Sequence, residues 1–193
     1  THVGESERDL AKRTMKHMID LGCEKVDFLA MGTAERSVLV HAIPGDFPLV
    51  DGEEGRIDFG GLFGNYNSDV ARTFTIGRPD PKFDDVFSRM AEAYRAAIDV
   101  CRVGNPANAP YFTAKKKSEE LGLPFDRLHE GHGLGIGCHE FPILEPGNSF
   151  LLEENMVMCV EHAVHVGGYR YHVEDLVQVT KNGPVILSEP DFN

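Results

Sequence analysis

Apolar side chains recur at helical spacing in three parts of the chain, and each part predicts a helix. The first opens with "SERD" at residues 6–9, which has the spacing of a capping box, and its apolar stripe stops at Gly22. The second carries apolar residues three or four positions apart from Phe83 to Cys101 and is closed by Gly104. A weaker pattern over about residues 108–121 predicts the third helix.

Three other segments have the pattern of β-strands. The segment "KVDFLAMGTAERSVLVHAIP" predicts short strands that are broken by Gly32 and end at Pro44. The segments "GRIDFGGLFGNYNSDVARTFTIG" and "MVMCVEHAVHVGGYRYHVEDLVQVT" each contain two strand-like runs around glycines, which is typical of a β-hairpin. The order helix, hairpin, helix, helix, hairpin, without a long linker, predicts one α+β domain with two similar halves.

Each predicted hairpin carries two acidic residues that are expected to face each other. Residues equally distant from a hairpin turn lie opposite one another on the same face of the sheet. A turn centred on Phe63 and Gly64 pairs Asp58 with Asp69. A turn centred on residues 167 and 168 pairs Glu161 with Glu174.

These carboxylates lie in otherwise apolar strands, so we expect them to be partly buried and to repel one another. A pair of divalent cations would neutralise them, with carboxylates and one imidazole as ligands. Such an oxygen-rich set suits Mn²⁺, Co²⁺ or Fe²⁺ better than the sulfur-rich sets of structural zinc sites. The alternative for either hairpin alone is a solvated sheet edge with surface acids.

Composition limits the partners of the protein. The net charge of −12 argues against nucleic acid and anionic membranes, which are bound by clustered Lys and Arg, and favours cationic ligands. No apolar run approaches the roughly 20 residues of a membrane span. The four cysteines form no C-x-x-C pair and are interpreted as reduced thiols of a cytoplasmic protein.

The stretch "HEGHGLGIGCHEFP" at residues 129–142 combines three histidines with four glycines. It is not a dinucleotide-binding loop, because every register of G-x-G-x-x-G places Ile136, Cys138 or Glu140 where the last glycine is needed. The glycines are instead expected to permit unusual backbone angles and close approach around His132 and His139.

The segments "IDFGGLFGNYNSDVARTF", "GHGLGIGCHEFP", "MVMCVE" and "VEDLVQVT" resemble, in order, those of the pita-bread metallopeptidases, the family of methionine aminopeptidase, aminopeptidase P and prolidase. The resemblance extends from about Gly4 to Pro190. It implies the α+β pita-bread fold, with pseudo-two-fold halves, an antiparallel sheet and flanking helices. It also implies a metal-dependent exopeptidase that hydrolyses the N-terminal bond of short peptides. "DVARTF" and "HEFP" are closer to the Xaa-Pro aminopeptidase and Xaa-Pro dipeptidase branch.

The resemblance also implies roles for individual residues. Two divalent ions are expected, with manganese as the first candidate and cobalt, iron or zinc as alternatives; the expected ligands are Asp58, Asp69, His132, Glu161 and Glu174. Asp69 and Glu174 would bridge the ions. A hydroxide between the ions would attack the scissile carbonyl, and Glu161 would pass a proton to the leaving nitrogen. His41 and His139 would hold the substrate and stabilise the oxyanion, and His172 is a further substrate-binding candidate.

Three positions depart from the pattern of the proline-specific members. Leu128 stands where they usually carry a histidine four residues before the metal histidine, with His129 displaced by one position. His172 stands where an arginine is frequent, and His162 follows Glu161 where proline is frequent. None of these changes removes an expected metal ligand, but they weaken the case for strict Xaa-Pro cleavage.

The chain starts late compared with this family, whose prolidase branch has a further N-terminal domain. We therefore expect residues 1–193 to be a single catalytic domain that forms the C-terminal fragment of a longer chain. A homodimer is a further expectation, with part of its interface outside these residues. Two alternatives to a peptidase remain open: a creatinase-like small-molecule C–N hydrolase or lyase on the same fold, and a binding module without catalysis.

Overall fold

The computed structural model of the protein describes residues 1–78 and 80–188, so the last five residues of the predicted domain lie outside the described part. The described residues form an α+β fold with three α-helices and nine strands in one antiparallel sheet. The helices are α1 (Glu7–Asp20), α2 (Pro81–Asp99) and α3 (Ala109–Glu120). The strands are β1 (Lys25–Thr33), β2 (Glu54–Phe63), β3 (Tyr66–Asn67), β4 (Val70–Thr75), β5 (Gly131–Gly133), β6 (Glu140–Ile143), β7 (Val157–Val166), β8 (Tyr169–Thr180) and β9 (Gly183–Ile186).

All three predicted helices are confirmed, and their ends follow from local chemistry. The side chain of Ser6 caps α1 by accepting a hydrogen bond from the backbone N–H of Asp9 at 3.1 Å. The side chain of Asp80 caps α2 in the same way, with Pro81 at the first helical position. The apolar face of α2 packs on β7 and β8 and forms the main hydrophobic core with them. In the described residues, no helix is long and apolar enough to cross a membrane.

The segment after β1 differs from the prediction of several short strands. The strand continues through Gly32 to Thr33, and a 3₁₀-helix (Ala34–Val38) and an irregular loop then follow. Gly32 is required because a Cβ atom there would lie 2.4 Å from the carbonyl oxygen of Arg36. The glycine therefore lets the chain fold back closely on itself instead of breaking the strand.

The first hairpin is confirmed, but the predicted pairing of Asp58 with Asp69 is wrong. Its turn consists of Gly64 and Asn65, both with positive φ (59° and 65°), and Asp58 pairs with Ala71. A two-residue turn with positive φ at both positions matches the twist of the strands, and here it lies one residue later than predicted. The shift moves each pairing partner by two residues. Because side chains alternate with a period of two, Asp69 stays on the face that carries Asp58.

The second hairpin has the predicted register. Gly167 and Gly168 form the turn between β7 and β8, and Glu161 pairs with Glu174. The same ladder pairs Ala163 with His172. Residues 161, 163 and 165 on β7 therefore share a face with residues 170, 172 and 174 on β8.

The two hairpins meet at a short seam in the centre of the sheet, whose strand order is β1-β2-β4-β8-β7-β5-β6. A single ladder pair, Ala71 with Glu174, joins β4 to β8. Side chains supplement this pair: the hydroxyl of Thr73 donates to the carbonyl of His172 at 2.8 Å and accepts from its N–H at 2.7 Å. Arg72 donates to the carbonyl of Glu174 at 2.6 Å. The seam lies directly under the candidate site.

Candidate metal centre

A cavity of about 650 Å³ opens on the face of the sheet that carries the paired acids. It is lined by all eight residues that the sequence predicts for the site: His41, Asp58, Asp69, His132, His139, Glu161, His172 and Glu174. These residues come from strands of both halves of the sheet and from the segments before β2 (His41), before β4 (Asp69) and before β6 (His139). The fold thus brings together side chains that are up to 133 positions apart in the sequence, since the first is residue 41 and the last is residue 174.

His132 on β5 faces two acids, Asp69 across the seam and Glu174 on its own side of it. Its Nε2 atom lies 3.8 Å from Oδ2 of Asp69 and 3.8 Å from Oε1 of Glu174. Its Nδ1 atom lies 3.0 Å from the carbonyl oxygen of Gly133, which accepts a hydrogen bond when Nδ1 carries the proton. In that tautomer the lone pair of Nε2 points at the acids. Two ligands about 2.1 Å from one ion are roughly 3 to 4 Å apart, so these separations fit a shared cation.

The electrostatics of this group also fit a cation. Burial, followed by repulsion from Asp58, raises the pKa of Asp69 to about 8. Burial and the neighbouring acids Glu161 and Asp69 raise the pKa of Glu174 well above its ordinary value. Oδ1 of Asp69 is buried and accepts no hydrogen bond from any described residue. An orphaned acceptor beside like charges costs free energy, and a bound metal ion would relieve both problems.

A second group consists of Glu161 on β7 and of His172 and Glu174 on β8. Oε2 of Glu161 is 3.1 Å from Nε2 of His172, and Glu174 is close enough to both residues for all three to bind one metal ion. Asp58 approaches from β2, with its Oδ2 atom 4.0 Å from Nδ1 of His172. Burial lowers the pKa of His172 to about 3, so this imidazole is neutral at physiological pH. Burial raises the pKa of Asp58 to about 6, while the nearby Arg56 opposes the rise.

His172 is almost fully buried, and both of its ring nitrogens face protein groups. Nε2 meets Glu161, and Nδ1 lies 3.5 Å from Nη1 of Arg56. This environment suits a residue that supports the acids, so its substrate-binding role stays a prediction. His41 and His139, by contrast, are exposed at the cavity.

The ring of His139 stacks on that of His132, with centroids 3.8 Å apart. The loop that carries His41 is fixed by Arg56, which donates to the carbonyls of Ser37 at 3.1 Å and Leu39 at 2.8 Å and also contacts that of Val40. Both histidines are therefore held at the cavity that the acids line.

Two cysteines lie beside the acids. Cys159 is close enough to Asp69, His132 and Glu174 to share a metal with them. Burial and the adjacent acids raise the pKa of its thiol far above the ordinary value, and the same causes raise that of Cys138 to about 12. The predicted donors of the centre are oxygen and nitrogen atoms, and Cys159 places one sulfur atom within reach of the same metal position.

Three arginines near the acids are not among the residues predicted from the sequence: Arg127 and Arg170 line the cavity, and Arg56 lies 3.5 Å from Asp58. Arg56 stands two residues before Asp58, and Arg170 stands four before Glu174, so strand alternation could have placed both on the site face. Arg127 lies in an irregular segment, and its Nη2 atom is 2.7 Å from Oε2 of Glu161 in an ion pair without hydrogen-bond geometry. No local pattern identifies it. Arg127 and His172 outweigh the effect of burial and hold the pKa of Glu161 well below its ordinary value.

Comparison with known proteins identifies the family. A family model described as metallopeptidase family M24 matches residues 1–181. The chain is 31% identical over 193 residues to an Xaa-Pro dipeptidase from Pyrococcus furiosus, covering 97% of this chain and 55% of that protein. It superposes with a TM-score of 0.92 on the dipeptidase PepE from Mycobacterium ulcerans, at 29% identity, covering 97% of this chain and 52% of that one.

The fold is equally similar to that of an X-Pro aminopeptidase from Thermotoga maritima MSB8. The TM-score is 0.92 at 28% identity, over 98% of this chain and 54% of that one. The chain spans about half the length of the relatives that it matches. The predicted resemblance and the pita-bread fold class are confirmed.

Proposed function

Since the chain belongs to metallopeptidase family M24, we propose that it hydrolyses the N-terminal peptide bond of short peptides, with proline after the scissile bond, using two divalent metal ions. The observation that carries the proposal is the group of buried acids around His132, which have raised pKa values and an orphaned oxygen. Similarity to an Xaa-Pro dipeptidase and to an X-Pro aminopeptidase supports the substrate class.

The metal ligands of this proposal are Asp58, Asp69, His132, Glu161 and Glu174, and the ions are manganese, with cobalt, iron or zinc as alternatives. Bound there, the ions would supply an activated water and polarise the scissile carbonyl. The ligands, four carboxylates and one imidazole, are oxygen and nitrogen donors of the kind that these divalent ions prefer.

Side chains of the cavity would transfer the proton and stabilise the charge on the carbonyl oxygen. Glu161 is held as a carboxylate by Arg127 and His172, which supports its role as a metal ligand. Passing a proton to the leaving nitrogen is a second role that the proposal assigns to it. His139 and His41 have exposed rings at the cavity, from which they can donate hydrogen bonds to the carbonyl oxygen as its charge develops.

The environment of Arg170 supports a dipeptide, and not a longer peptide, as the preferred substrate. This guanidinium lines the cavity, is only 7% exposed and is in no ion pair with an acid of the described residues. Its Nε atom has no hydrogen-bond partner among those residues, and Nη1 lies only 3.4 Å from Nε2 of His165. A buried cation without an acid is costly, and the terminal carboxylate of a dipeptide would neutralise it.

The test is to incubate Mn²⁺-loaded protein with Ala-Pro, Ala-Pro-Ala, Met-Ala-Ser, Ala-Ala-Ala and creatine and to identify products by mass spectrometry. We expect cleavage before proline only, lost on chelation and in the Asp69→Asn variant. Cleavage of creatine, or peptide cleavage that survives complete metal removal, would refute the proposal. Creatine is included because Leu128 and His172 depart from the pattern of the proline-specific members.

Cellular context is part of the proposal as well. A cytoplasmic location is supported by the four cysteines, all of which are unpaired and of which three are buried. The homodimer stays a prediction, as does the single catalytic domain over residues 1–193.

A further inference from the structure

Residues 134–139, between β5 and β6, form a loop that carries His139 at the cavity. We call it the glycine loop, because glycines occupy positions 135 and 137. The ring of His139 stacks on that of His132, and it makes no hydrogen bond within the described part of the chain. The position of this ring therefore depends on the stacking and on where the glycine loop itself lies.

Asn67 on β3 holds the glycine loop by two neighbouring carbonyls. Its backbone N–H donates to the carbonyl of Gly135 at 2.8 Å, and its side-chain Nδ2 donates to the carbonyl of Ile136 at 2.6 Å. Nδ2 also lies 3.4 Å from the carbonyl oxygen of Gly135. Because carbonyl oxygens only accept hydrogen bonds, the side-chain amide must present its NH₂ group to them.

The first hairpin places Asn67 for this contact. The turn between β2 and β3 has only two residues, so the pair next to it, Phe63 and Tyr66, exchanges hydrogen bonds. The following pair, Leu62 and Asn67, then points its backbone N–H and C=O groups away from the partner strand. Asn67 is buried, with 9% of its surface exposed. The register of the hairpin thus directs a buried donor to the glycine loop.

The contact of Asn67 joins the two halves of the sheet. Asn67 belongs to the first hairpin, whereas β5 and β6 lie in the other half. The N–H of Gly137 donates to the carboxylate of Glu140, which ties the loop only to the strand that follows it. The thiol of Cys138 lies 3.5 Å from Oδ2 of Asp69 in the first half, but a thiol is a weak donor. The amide of Asn67 is therefore the stronger tie of the glycine loop to the first half.

We propose that Asn67 is a positioning residue for His139: its amide ties the glycine loop to the first half of the sheet and so fixes where the imidazole of His139 stands in the cavity. A displacement of about 1 Å can lower the rate of an enzyme by about 100-fold, so a change at Asn67 should affect turnover more than substrate affinity. This inference rests on the proposed function, which gives His139 the role of stabilising the oxyanion.

The test is a double-mutant cycle between Asn67 and His139, with kcat and KM for Ala-Pro measured on Mn²⁺-loaded protein. Asn67→Ala should lower kcat by about tenfold, change KM by less than about twofold and leave the metal content unchanged. In a protein that already carries His139→Ala, the same change should lower kcat by less than about twofold, because no imidazole is left to be misplaced.

Two further variants identify the cause. Asn67→Leu keeps the approximate size of the side chain but removes its donors, so it should lower kcat as much as Asn67→Ala does. Asn105→Ala is the matched control, because Nδ2 of Asn105 donates to the carbonyl of Val100 at 2.9 Å and Asn105 does not line the cavity. It should lower the urea midpoint of unfolding but leave kcat unchanged. Circular dichroism would verify that each variant is folded, and if one Asn67 variant does not fold, the other carries the test.

A second measurement does not depend on activity. In metal-free protein, amide hydrogen exchange of residues 134–139 should be faster in Asn67→Ala than in the wild type, because the loop has lost its tie to β3. Asn105→Ala should leave the exchange of these residues unchanged.

An unchanged kcat or an unchanged exchange of the loop in the folded Asn67 variants would overturn the inference. Losses of kcat that multiply in the double variant would overturn it too, because Asn67 would then act independently of His139. A wild type that does not cleave Ala-Pro would instead refute the proposed function, while the exchange of the loop still reports on Asn67. The two failures are therefore distinguishable.

Discussion

Replacing Asp69 by asparagine should stabilise the metal-free protein at alkaline pH. Burial and the repulsion of Asp58 raise the pKa of this carboxyl from 3.8 to about 8 in the folded protein. A raised pKa means that the folded state binds the proton more tightly than the unfolded state does. The corresponding stability is complete below about pH 4 and is lost as the pH rises through about 8.

The size of this stabilisation follows from the difference between the pKa of Asp69 in the unfolded and folded states. A rise from about 4 to about 8 corresponds to at most about 5 kcal/mol of unfolding free energy. Asp58 and Glu174 are part of the same group of repelling acids, so the loss is shared among them. We therefore expect Asp69→Asn to be more stable than the wild type by about 2 to 4 kcal/mol at pH 8, and by about 1 to 2 kcal/mol at pH 5.5.

The assay is urea unfolding in the presence of a chelator at both pH values. Asp99→Asn, which changes an exposed aspartate at the end of α2, is the matched control and should have no effect at either pH. Adding Mn²⁺ at a hundred times its dissociation constant should stabilise the wild type by about 2.7 kcal/mol at pH 8 and should stabilise Asp69→Asn much less. A metal-free Asp69→Asn protein that is no more stable than the wild type at pH 8 would refute the reasoning.

Three further predictions concern the cavity and the sheet. His139→Ala should lower kcat for Ala-Pro by about 10- to 100-fold with unchanged metal content, because its ring lies at the cavity beside the acids; elemental analysis beside kinetics checks this, and loss of metal would contradict it. Arg170→Met should raise KM for Ala-Pro at least tenfold but leave KM for Ala-Pro amide unchanged, because only Ala-Pro has a terminal carboxylate. An equal rise of KM for both substrates would exclude carboxylate binding by Arg170. Gly131→Ala should destabilise the fold by about 3 kcal/mol or more in urea unfolding, whereas Gly147→Ala, with nothing within 4 Å of its Cβ position, should be nearly neutral; similar values for both would contradict the close approach to β7.

The candidate ligands could be found from the sequence because hairpins relate residues by simple counting. The glycine pair at 167 and 168 fixes the register of β7 and β8, so the pairing of Glu161 with Glu174 was predicted correctly. The turn at Gly64 and Asn65 was placed one residue too early. The face of Asp69 was nevertheless right, because such an error moves a partner by two residues and leaves the alternation unchanged.

The contacts of Arg127 and Glu130 could not be found in this way. Arg127 and Glu130 lie in or next to an irregular segment, and their partners Glu161 and His162 are on β7. Their contacts depend on the close passage of β5 beside β7 at Gly131, which has no periodic signature in the sequence. The loop after β1 was mispredicted for a similar reason: a long-range contact, the bonding of Arg56 to its carbonyls, determines its path.

The seam between β4 and β8 is a weak contact between the two halves of the sheet, and metal binding should strengthen it. Asp58 and Asp69 belong to one half of the sheet and His132, Glu161 and Glu174 to the other, yet one ladder pair joins the halves there. Neither half alone presents a complete set of metal ligands. A cation that binds acids from both halves therefore cross-links them where the sheet has only one ladder pair. Amide hydrogen exchange at residues 70–75 should therefore slow when Mn²⁺ binds, and the affinity for metal becomes a measure of how firmly the two halves are closed.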